Sequence, residues 1–393
     1  MAPGANAPRV LMAGGGSGGH VFPALAVGGE LARRGWQVDY TGAAEGMEAR
    51  LVGERGLPFH PLPARPLVGR GPLAQAGALW TLLRSAFAAR ALLRRLGVRA
   101  VVGTGGYASA PALVGAWLAH VPALLVEPNA VPGVANRLLS RLASDAAIAF
   151  DSASEGLACG AALTGVPVRP EFAALAAEAP GGPRVRLLVA GGSQGAEQLN
   201  RLVPEALGRL RAAGALPPLA VLHQAGRGKV ETTRAAYEAA GLATGAAPPE
   251  AAQGAAGGSG EPGDGAEPVI EVRDFVADMA AEIGAAHLVI SRAGAITTAE
   301  ICAAGRASLL VPLTLAGGHQ MDNARQLAAA GAAEVLGSGG LGAEALAATL
   351  GRLLGDRERL AAMAASARRL GRPDAAAAIA DRVEALAAGR EAA

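Results

Sequence analysis

Residues 288–324, LVISRAGAITTAEICAAGRASLLVPLTLAGGHQMDNA, carry the most informative pattern in this chain. Leu288–Ile290 is a short apolar run that predicts a buried strand, and Arg292-Ala-Gly-Ala295 is a turn of small residues. Ile296–Ala304 has apolar residues at helical spacing, with Thr297 and Thr298 near its start. A helix N-terminus behind a glycine turn offers unpaired N–H groups and the positive end of a dipole, which suits a phosphate. One turn further in, the Glu300 carboxylate can accept hydrogen bonds from two vicinal sugar hydroxyls. Ser308–Pro312 predicts the next strand, and Gly317-Gly-His-Gln320 opens another helix. Alone, Glu300 reads as an ordinary exposed helix residue. Phosphate cradle, diol-binding acid and a polar loop after the next strand together describe a site for a sugar nucleotide.

Short apolar runs alternate with helical patterns on both sides of this segment. Strands are expected at Val10–Ala13, Gln37–Thr41, Ala100–Val102, Ala123–Val126 and Ala146–Phe150 in the first half. In the second half they are expected at Val185–Ala190, Leu219–His223, Val269–Val272, Leu288–Ile290, Ser308–Val311 and Ala333–Leu336. Such alternation means α/β architecture, with parallel sheets covered by helices on both faces. The two halves begin alike: Arg9-Val-Leu-Met-Ala-Gly-Gly-Gly-Ser-Gly resembles Arg186-Leu-Leu-Val-Ala-Gly-Gly-Ser-Gln-Gly. Two Rossmann-like, doubly wound domains in tandem are therefore expected, with the carboxyl ends of their strands facing a cleft. The first spans 1–168 and the second 169–372, with a join near Pro167–Pro183 and a last helix, about Asp374–Ala388 within 373–393, returning to the first. The Ala/Gly/Pro-rich stretch 243–268 reads as a disordered surface loop inside the second domain.

At 393 residues the chain fits two domains of ordinary size, and 51% hydrophobic residues suffice for two cores. Net charge is only +2, from 35 basic and 33 acidic residues, so nothing suggests nucleic acid. Two cysteines, Cys159 and Cys302, form no metal or disulfide spacing, which fits cytoplasmic life. Met1–Pro8 has no apolar core of a secretory signal. The most apolar stretch, Pro111–Val126, is interrupted at His120 and Pro122 and reads as a helix followed by a strand, too short to span a bilayer.

Gly14–His20, GGGSGGH, follows a strand and precedes a helix. Its glycines let the backbone approach a ligand closely. Gly14, Gly16 and Gly19 also fit a dinucleotide fingerprint, with Asp39 as the acid at the end of the next strand, so nicotinamide binding is an alternative. His20 is not part of that fingerprint. It would bring an imidazole suited to proton transfer at neutral pH, against the reading of a capping side chain. Gly191-Gly-Ser-Gln-Gly195 is the matching loop of the second half, where the Ser193 hydroxyl could hold a diphosphate or simply shape a turn. Glu127 and Asn129 follow a strand at its carboxyl end, and Arg169 lies at the join between domains. The helix around Ala76–Leu96 carries Leu79, Trp80, Leu83 and Phe87 beside Arg84, Arg90, Arg94 and Arg95. Such a stripe suits an anionic membrane surface, and core packing is the competing reading.

Five segments together resemble the peptidoglycan N-acetylglucosaminyltransferase family, MurG. They are GGSGGHVFPALAV (15–27), GTGGYASAP (103–111), GGSQGAEQLN (191–200), DFVADMA (274–280) and SRAGAITTAEICAAG (291–305). The resemblance implies the two-domain GT-B fold. It implies inverting transfer of N-acetylglucosamine from UDP-GlcNAc to the C4 hydroxyl of a lipid-linked muramoyl-pentapeptide, with no metal and no cofactor. It implies a peripheral place on the cytoplasmic face of the bacterial inner membrane. By the same resemblance Ser17, Gly18 and Gly19 face the acceptor diphosphate and donor sugar, and His20 or Glu127 takes the acceptor proton. Asn129 and Gln320 touch the donor sugar, Arg169 and Ser193 lie by the diphosphate, and the backbone of Val276 meets the uracil. Ala295, Ile296, Thr297, Thr298 and Ala299 cradle phosphate, and Glu300 binds the ribose. The chain departs from the family pattern where Val126 replaces His, Pro128 replaces Gln and Val166 replaces Asn. A UDP-GlcNAc 2-epimerase, which needs no lipid acceptor, and a non-catalytic sugar-nucleotide-binding protein are the alternatives.

Overall fold

The structure is a computed structural model that describes residues 7–65, 71–175, 180–192, 194–245, 267–313 and 319–391. The chain divides into two compact units, residues 1–170 with 372–393, and residues 171–371. Most of the 243–268 stretch lies outside the described residues, as does Ser193.

The first unit holds seven parallel strands: β1 (Arg9–Ala13), β2 (Gln37–Gly42), β3 (Phe59–Pro61), β4 (Ala100–Gly103), β5 (Ala123–Glu127), β6 (Asp145–Ile148) and β7 (Gly160–Leu163). They lie in the order β3-β2-β1-β4-β5-β6-β7. The pleat of β1 explains why its sequence is apolar at every position after Arg9. Val10 and Met12 enter one core with Ala24, Val27 and Leu31. Leu11 and Ala13 enter the opposite core with Leu93, Leu113 and Ala116. A strand buried on both faces loses alternation and reads as a continuous hydrophobic run. Strand order reverses between β1 and β4, which pair from Val10↔Ala100 to Ala13↔Gly103. Ligand crevices open beyond the carboxyl ends of strands at such a reversal.

The second unit has six parallel strands: β8 (Val185–Ala190), β9 (Leu219–Gln224), β10 (Val269–Arg273), β11 (Leu288–Ser291), β12 (Ala307–Leu310) and β13 (Ala333–Val335). Their order is β10-β9-β8-β11-β12-β13, and the reversal falls between β8 and β11. Strands β3 and β7 were not anticipated. The first is three residues long, and the second, Gly-Ala-Ala-Leu, is a mostly exposed strand with little hydrophobic signal. The last helix, Ala375–Glu391, lies on the Gly18–Arg33 helix of the first unit. There Ile379, Ala380 and Val383 are fully buried, and Asp381 and Glu384 meet Arg34 at 2.6 and 2.8 Å.

The helix Pro72–Leu96 settles the competing readings of its apolar stripe. Its small side chains face inward, where Ala86 and Ala89 are fully buried against Gly115 of the Ala110–Ala119 helix. Leu79, Trp80, Leu83 and Phe87 point outward. Trp80 is 63% exposed, and Trp117 on the neighbouring helix is 54% exposed. Core packing of the stripe is thereby excluded. Among the described residues no helix is long and apolar enough to cross a membrane.

The two helices approach so closely because position 115 has no side chain. A Cβ there would lie 2.6 Å from the Ala89 Cβ and 2.9 Å from the Ala86 carbonyl oxygen. Gly115→Val should force the helices apart and cost about 1–3 kcal/mol, as overpacking commonly does. Thermal unfolding checks this, and an unchanged melting temperature would refute the close packing.

Candidate active site

At the β1/β4 reversal the Gly14–Ser17 loop leads into the Gly18–Arg33 helix, and His20 stands in its first turn. The residue that places His20 is Thr104, fully buried at the end of β4. Its carbonyl oxygen lies 2.8 Å from His20 Nδ1, and its hydroxyl donates to the His20 carbonyl at 2.7 Å. A carbonyl only accepts, so Nδ1 carries the proton and the lone pair of a neutral ring sits on Nε2. Gly105 and Gly106 close over the ring with φ of 99° and 78°, and a Cβ on Gly105 would stand 2.8 Å from Nδ1. Burial pushes the imidazole pKa below its ordinary value, opposed by the Thr104 hydrogen bond and the charges of Glu127 and Glu48. His20 is thus neutral at pH 7 with a free lone pair, the state a general base requires. Ser17 is exposed and makes no capping hydrogen bond with its side chain, and Gly18 and Gly19 are half-buried.

Glu127, the last residue of β5, is 1% exposed. One carboxylate oxygen accepts from the backbone N–H and side-chain amide of Asn129, both at 3.0 Å. The other accepts from Gly133 N at 3.0 Å and Asn136 Nδ2 at 2.9 Å. Four donors saturate a carboxylate. With its acceptor sites occupied, Glu127 is built as a hub that holds the 127–136 loop and Asn129, and of the two bases expected from the sequence His20 is the one with an unengaged lone pair. Asp39, by contrast, is corrected. It lies inside β2, not at its end, buried and bound to Arg9 at 2.9 Å and His60 at 2.6 Å, so it is not presented to a ribose. That removes the acid the dinucleotide reading needed.

In the second unit, the helix Ala295–Ala304 starts behind Gly294, which offers no side chain to cap it. Its first-turn N–H groups therefore remain for a ligand. Ala295, Ile296, Thr297 and Ala299 are half-buried there, while the Thr298 hydroxyl turns back to the carbonyls of Gly294 and Ala295. The Thr298 N–H also donates to the Gly294 carbonyl, at 2.9 Å, so the donors left at this terminus are those of Ala295, Ile296 and Thr297. Glu300 is 7% exposed, which rules out the ordinary exposed helix residue. Gln320 accepts from Leu313 N at 2.9 Å through Oε1, which leaves its amide N–H groups to donate elsewhere. Val276 is buried, and Phe275 beside it is exposed along a cavity of about 360 Å³ that Arg234 and Asp274 also line. Arg169 is half-buried immediately before the Pro170–Ala173 helix of its own segment.

A larger cavity, of about 590 Å³, opens at the β8/β11 reversal, lined by Gly191, Gly195, Arg201, Lys229 and Arg292 among others. Lys229 Nζ donates to the Gln194 carbonyl at 3.0 Å and Arg292 to the Val311 carbonyl at 3.0 Å, fixing two cations beside the glycine loop. These cations were not singled out from the sequence. Arg292 stood in the decisive segment but read as a turn residue, and Lys229 lies in a loop with no local signature. Glu48, Thr104 and Asn136 were missed for the same reason, since each acts on a backbone or carboxylate distant in sequence.

Two parallel α/β units, each with a glycine loop at its strand reversal, define the GT-B class of glycosyltransferase fold. The N-terminal and C-terminal domain models of glycosyltransferase family 28 match residues 10–148 and 186–379. A Pseudomonas putida protein named UDP-N-acetylglucosamine--N-acetylmuramyl-(pentapeptide) pyrophosphoryl-undecaprenol N-acetylglucosamine transferase is 40% identical over 96% of this chain and 97% of its own length. The crystal structure of Acinetobacter baumannii MurG superposes with a TM-score of 0.76 at 33% identity, covering 96% of this chain and 99% of that one. A putative UDP-N-acetylglucosamine 2-epimerase from Listeria monocytogenes shares the fold, with a TM-score of 0.64 at 14% identity over 96% of each chain. The chain belongs to glycosyltransferase family 28 and, within it, to the MurG family.

The wall of the second glycine loop rests on a buried histidine. His223 Nε2 meets Asn200 Oδ1 at 3.1 Å and its Nδ1 meets the Tyr237 hydroxyl at 2.9 Å. Asn200 in turn donates to the Ala225 carbonyl at 2.8 Å, against which Gly195 is seated. Complete burial lowers the His223 pKa from 6.5 to about 3. Below pH 6.5 the unfolded chain takes up a proton that the folded chain refuses. The stability that neutral His223 permits is thus complete above 6.5 and lost as pH falls from there toward 3. One proton corresponds to about 1.4 kcal/mol per pH unit, so chemical denaturation at pH 7, 6 and 5 should show a steady loss that His223→Gln flattens by that amount. Parallel slopes in the two proteins would contradict the buried neutral imidazole.

Proposed function

We propose that this chain transfers N-acetylglucosamine from UDP-N-acetylglucosamine to the C4 hydroxyl of undecaprenyl-pyrophosphoryl-N-acetylmuramoyl-pentapeptide, with inversion at the anomeric carbon. The observation that carries this is 40% identity along 96% of the chain to a relative named for that transfer. The residue roles are those that the resemblance implies, with the geometry of each unit in their support. His20 Nε2 accepts the C4 hydroxyl proton, and the C4 oxygen bonds to the anomeric carbon as the bond from that carbon to the β-phosphate breaks. UDP leaves as an anion. The uncapped N–H groups of Ala295, Ile296 and Thr297, with Arg292 and Lys229, stabilise its charge. Arg169 adds a further cation at the diphosphate. Glu300 takes the ribose hydroxyls, Gln320 and Asn129 the sugar, and the Val276 backbone the uracil. Ser17, Gly18 and Gly19 offer their helix N-terminus to the acceptor diphosphate, and Glu127 holds Asn129 in place.

Transfer is tested with radiolabelled UDP-N-acetylglucosamine and a lipid-linked muramoyl acceptor, scored as lipid-extractable disaccharide. His20→Ala should lower kcat by about 10²–10⁴-fold with donor KM little changed. Glu300→Ala should instead weaken the donor about 10- to 100-fold, the worth of a charge-assisted hydrogen bond. No disaccharide from the unaltered chain would end this reading, and an active His20→Ala variant would end the assignment of the base.

The undecaprenol tail of that acceptor resides in a bilayer, so the chain must meet a membrane surface. The exposed Leu79, Trp80, Leu83, Phe87 and Trp117 form the apolar part of the surface assigned to this contact. Arg84, Arg94 and Arg95 are exposed on the same helix, whereas Arg90 is half-buried, with its Nε sequestered. Each exposed arginine is worth about 1 kcal/mol against anionic lipid, a contribution that salt weakens. Changing Arg84, Arg94 and Arg95 together to Glu should abolish sedimentation with phosphatidylglycerol vesicles and reduce turnover of long-chain acceptor. Turnover of a water-soluble short-chain acceptor should be retained. Undiminished vesicle binding would move the membrane surface elsewhere.

A further inference from the structure

We infer that Glu48 is a positioning residue of the acceptor loop, holding the Gly14–Gly16 turn from which the His20 helix starts. This rests on His20 as the proton acceptor. Glu48 lies in the first turn of the Met47–Gly53 helix and is 2% exposed. One oxygen accepts from Gly16 N at 3.1 Å and the other from Ala43 N at 2.8 Å. Three glycines from three segments make room for it. A Cβ on Gly15, Gly42 or Gly46 would lie 2.1, 2.5 or 2.3 Å from its side chain. The loop after β1, the loop after β2 and the start of a helix thus converge on one carboxylate.

That convergence has a purpose beyond folding. Gly16 has φ of 86°, the left-handed region that favours glycine, and in that conformation its N–H donates to Glu48, just ahead of the helix that carries His20. A turn alone needs no charge, and a buried carboxylate is costly unless donors meet it. The charge acts on its neighbour. The titratable groups around His20 are Glu48 on its helix, Glu127 at the end of β5, and Tyr107, whose ring lies against Gly16. Neither carboxylate hydrogen-bonds to the imidazole, whose ring partner is the Thr104 carbonyl. Both favour its protonated form against the effect of burial. As His20 takes the acceptor proton, two fixed negative charges therefore stabilise the cation without competing for Nε2.

The test is Glu48→Gln, which keeps the shape, removes the charge and turns an amide toward a backbone N–H. The His20 imidazole is followed by NMR titration, alongside kcat and both KM values across pH. Turnover should fall about 10- to 100-fold, the worth of a hydrogen bond to a charged group, with donor KM within about twofold. The His20 titration and the acid limb of the rate profile should both move to lower pH. An unmoved His20 titration, or turnover within about threefold of the unaltered chain, would overturn the inference. If Glu48→Gln does not fold, Glu48→Asp carries the test. It keeps the charge and shortens the reach, so lowered turnover with an unmoved His20 titration supports the role and full turnover overturns it. The NMR reading needs no turnover. Failure of the transfer reaction itself, seen as no disaccharide from the unaltered chain, is therefore distinguishable from failure of this role.

Discussion

A parallel strand buried on both faces has no room for a polar side chain that lacks a partner, and that constraint organises this protein. β11 and all of β1 beyond Arg9 are buried, so their backbone groups are spent on the sheet and their apolar side chains on two cores. Polar chemistry is displaced to the loops beyond the strands' carboxyl ends. At the β1/β4 and β8/β11 reversals the connecting helices diverge to opposite faces, leaving a space that nothing else fills. The site loops begin there for this reason: Gly14–His20 and Thr104–Tyr107 in the first unit, Gly191–Gly195 and Arg292–Ala295 in the second.

These loops are then held by groups taken fully out of solvent. Glu127 accepts four hydrogen bonds, and His223 uses both ring nitrogens. Thr104 is bonded through its N–H, carbonyl and hydroxyl to Ala13 and His20. Burying such groups is expensive when any atom is left unpaired, and saturation makes each a rigid joint. Glycine completes the joints. A side chain at Gly14 would lie 1.9 Å from the Thr104 hydroxyl, and one at Gly195 equally close to the Ala225 carbonyl. Close approach, as much as turn formation, dictates glycine at these two positions.

This division explains what was legible from sequence. Strands such as Val185–Ala190 were readable because a doubly buried strand is a contiguous apolar run, and the glycine loops because they follow such runs. β7 was illegible because Ala-Ala-Leu at a sheet edge resembles any Ala-rich segment of this composition. Glu300 was legible by its place one turn into a helix behind a glycine turn. Glu48 was not, because its partner Gly16 lies in the loop after β1 and no local pattern marks a carboxylate that accepts from so distant a backbone. Glu127 was legible as a carboxylate at a strand end, but the four donors around it were not, because they come from the loop and helix that follow. The apolar stripe of Leu79–Phe87 was ambiguous for a related reason. Periodicity defines a face, and only the close Ala86/Ala89/Gly115 contact shows which face is inside.

The same accounting of donors applies to the helix N-termini. Asp278 and Asp356 cap their helices by accepting from the backbone N–H groups of Ala281 and Arg359, and so consume donors that a ligand would need. Ser17 and Gly294 make no such side-chain bond at the heads of the two helices that open onto the strand reversals. A helix with its donors left over is less stable by about 1 kcal/mol than a capped one, and an anion in place of the cap returns that energy. On the proposed reading, stability withheld at these termini is recovered as affinity for a phosphate group. Behind the first of them, Glu48 and Glu127 accept only from groups outside that helix, so the loop is held without drawing on the donors that the reading assigns to the ligand.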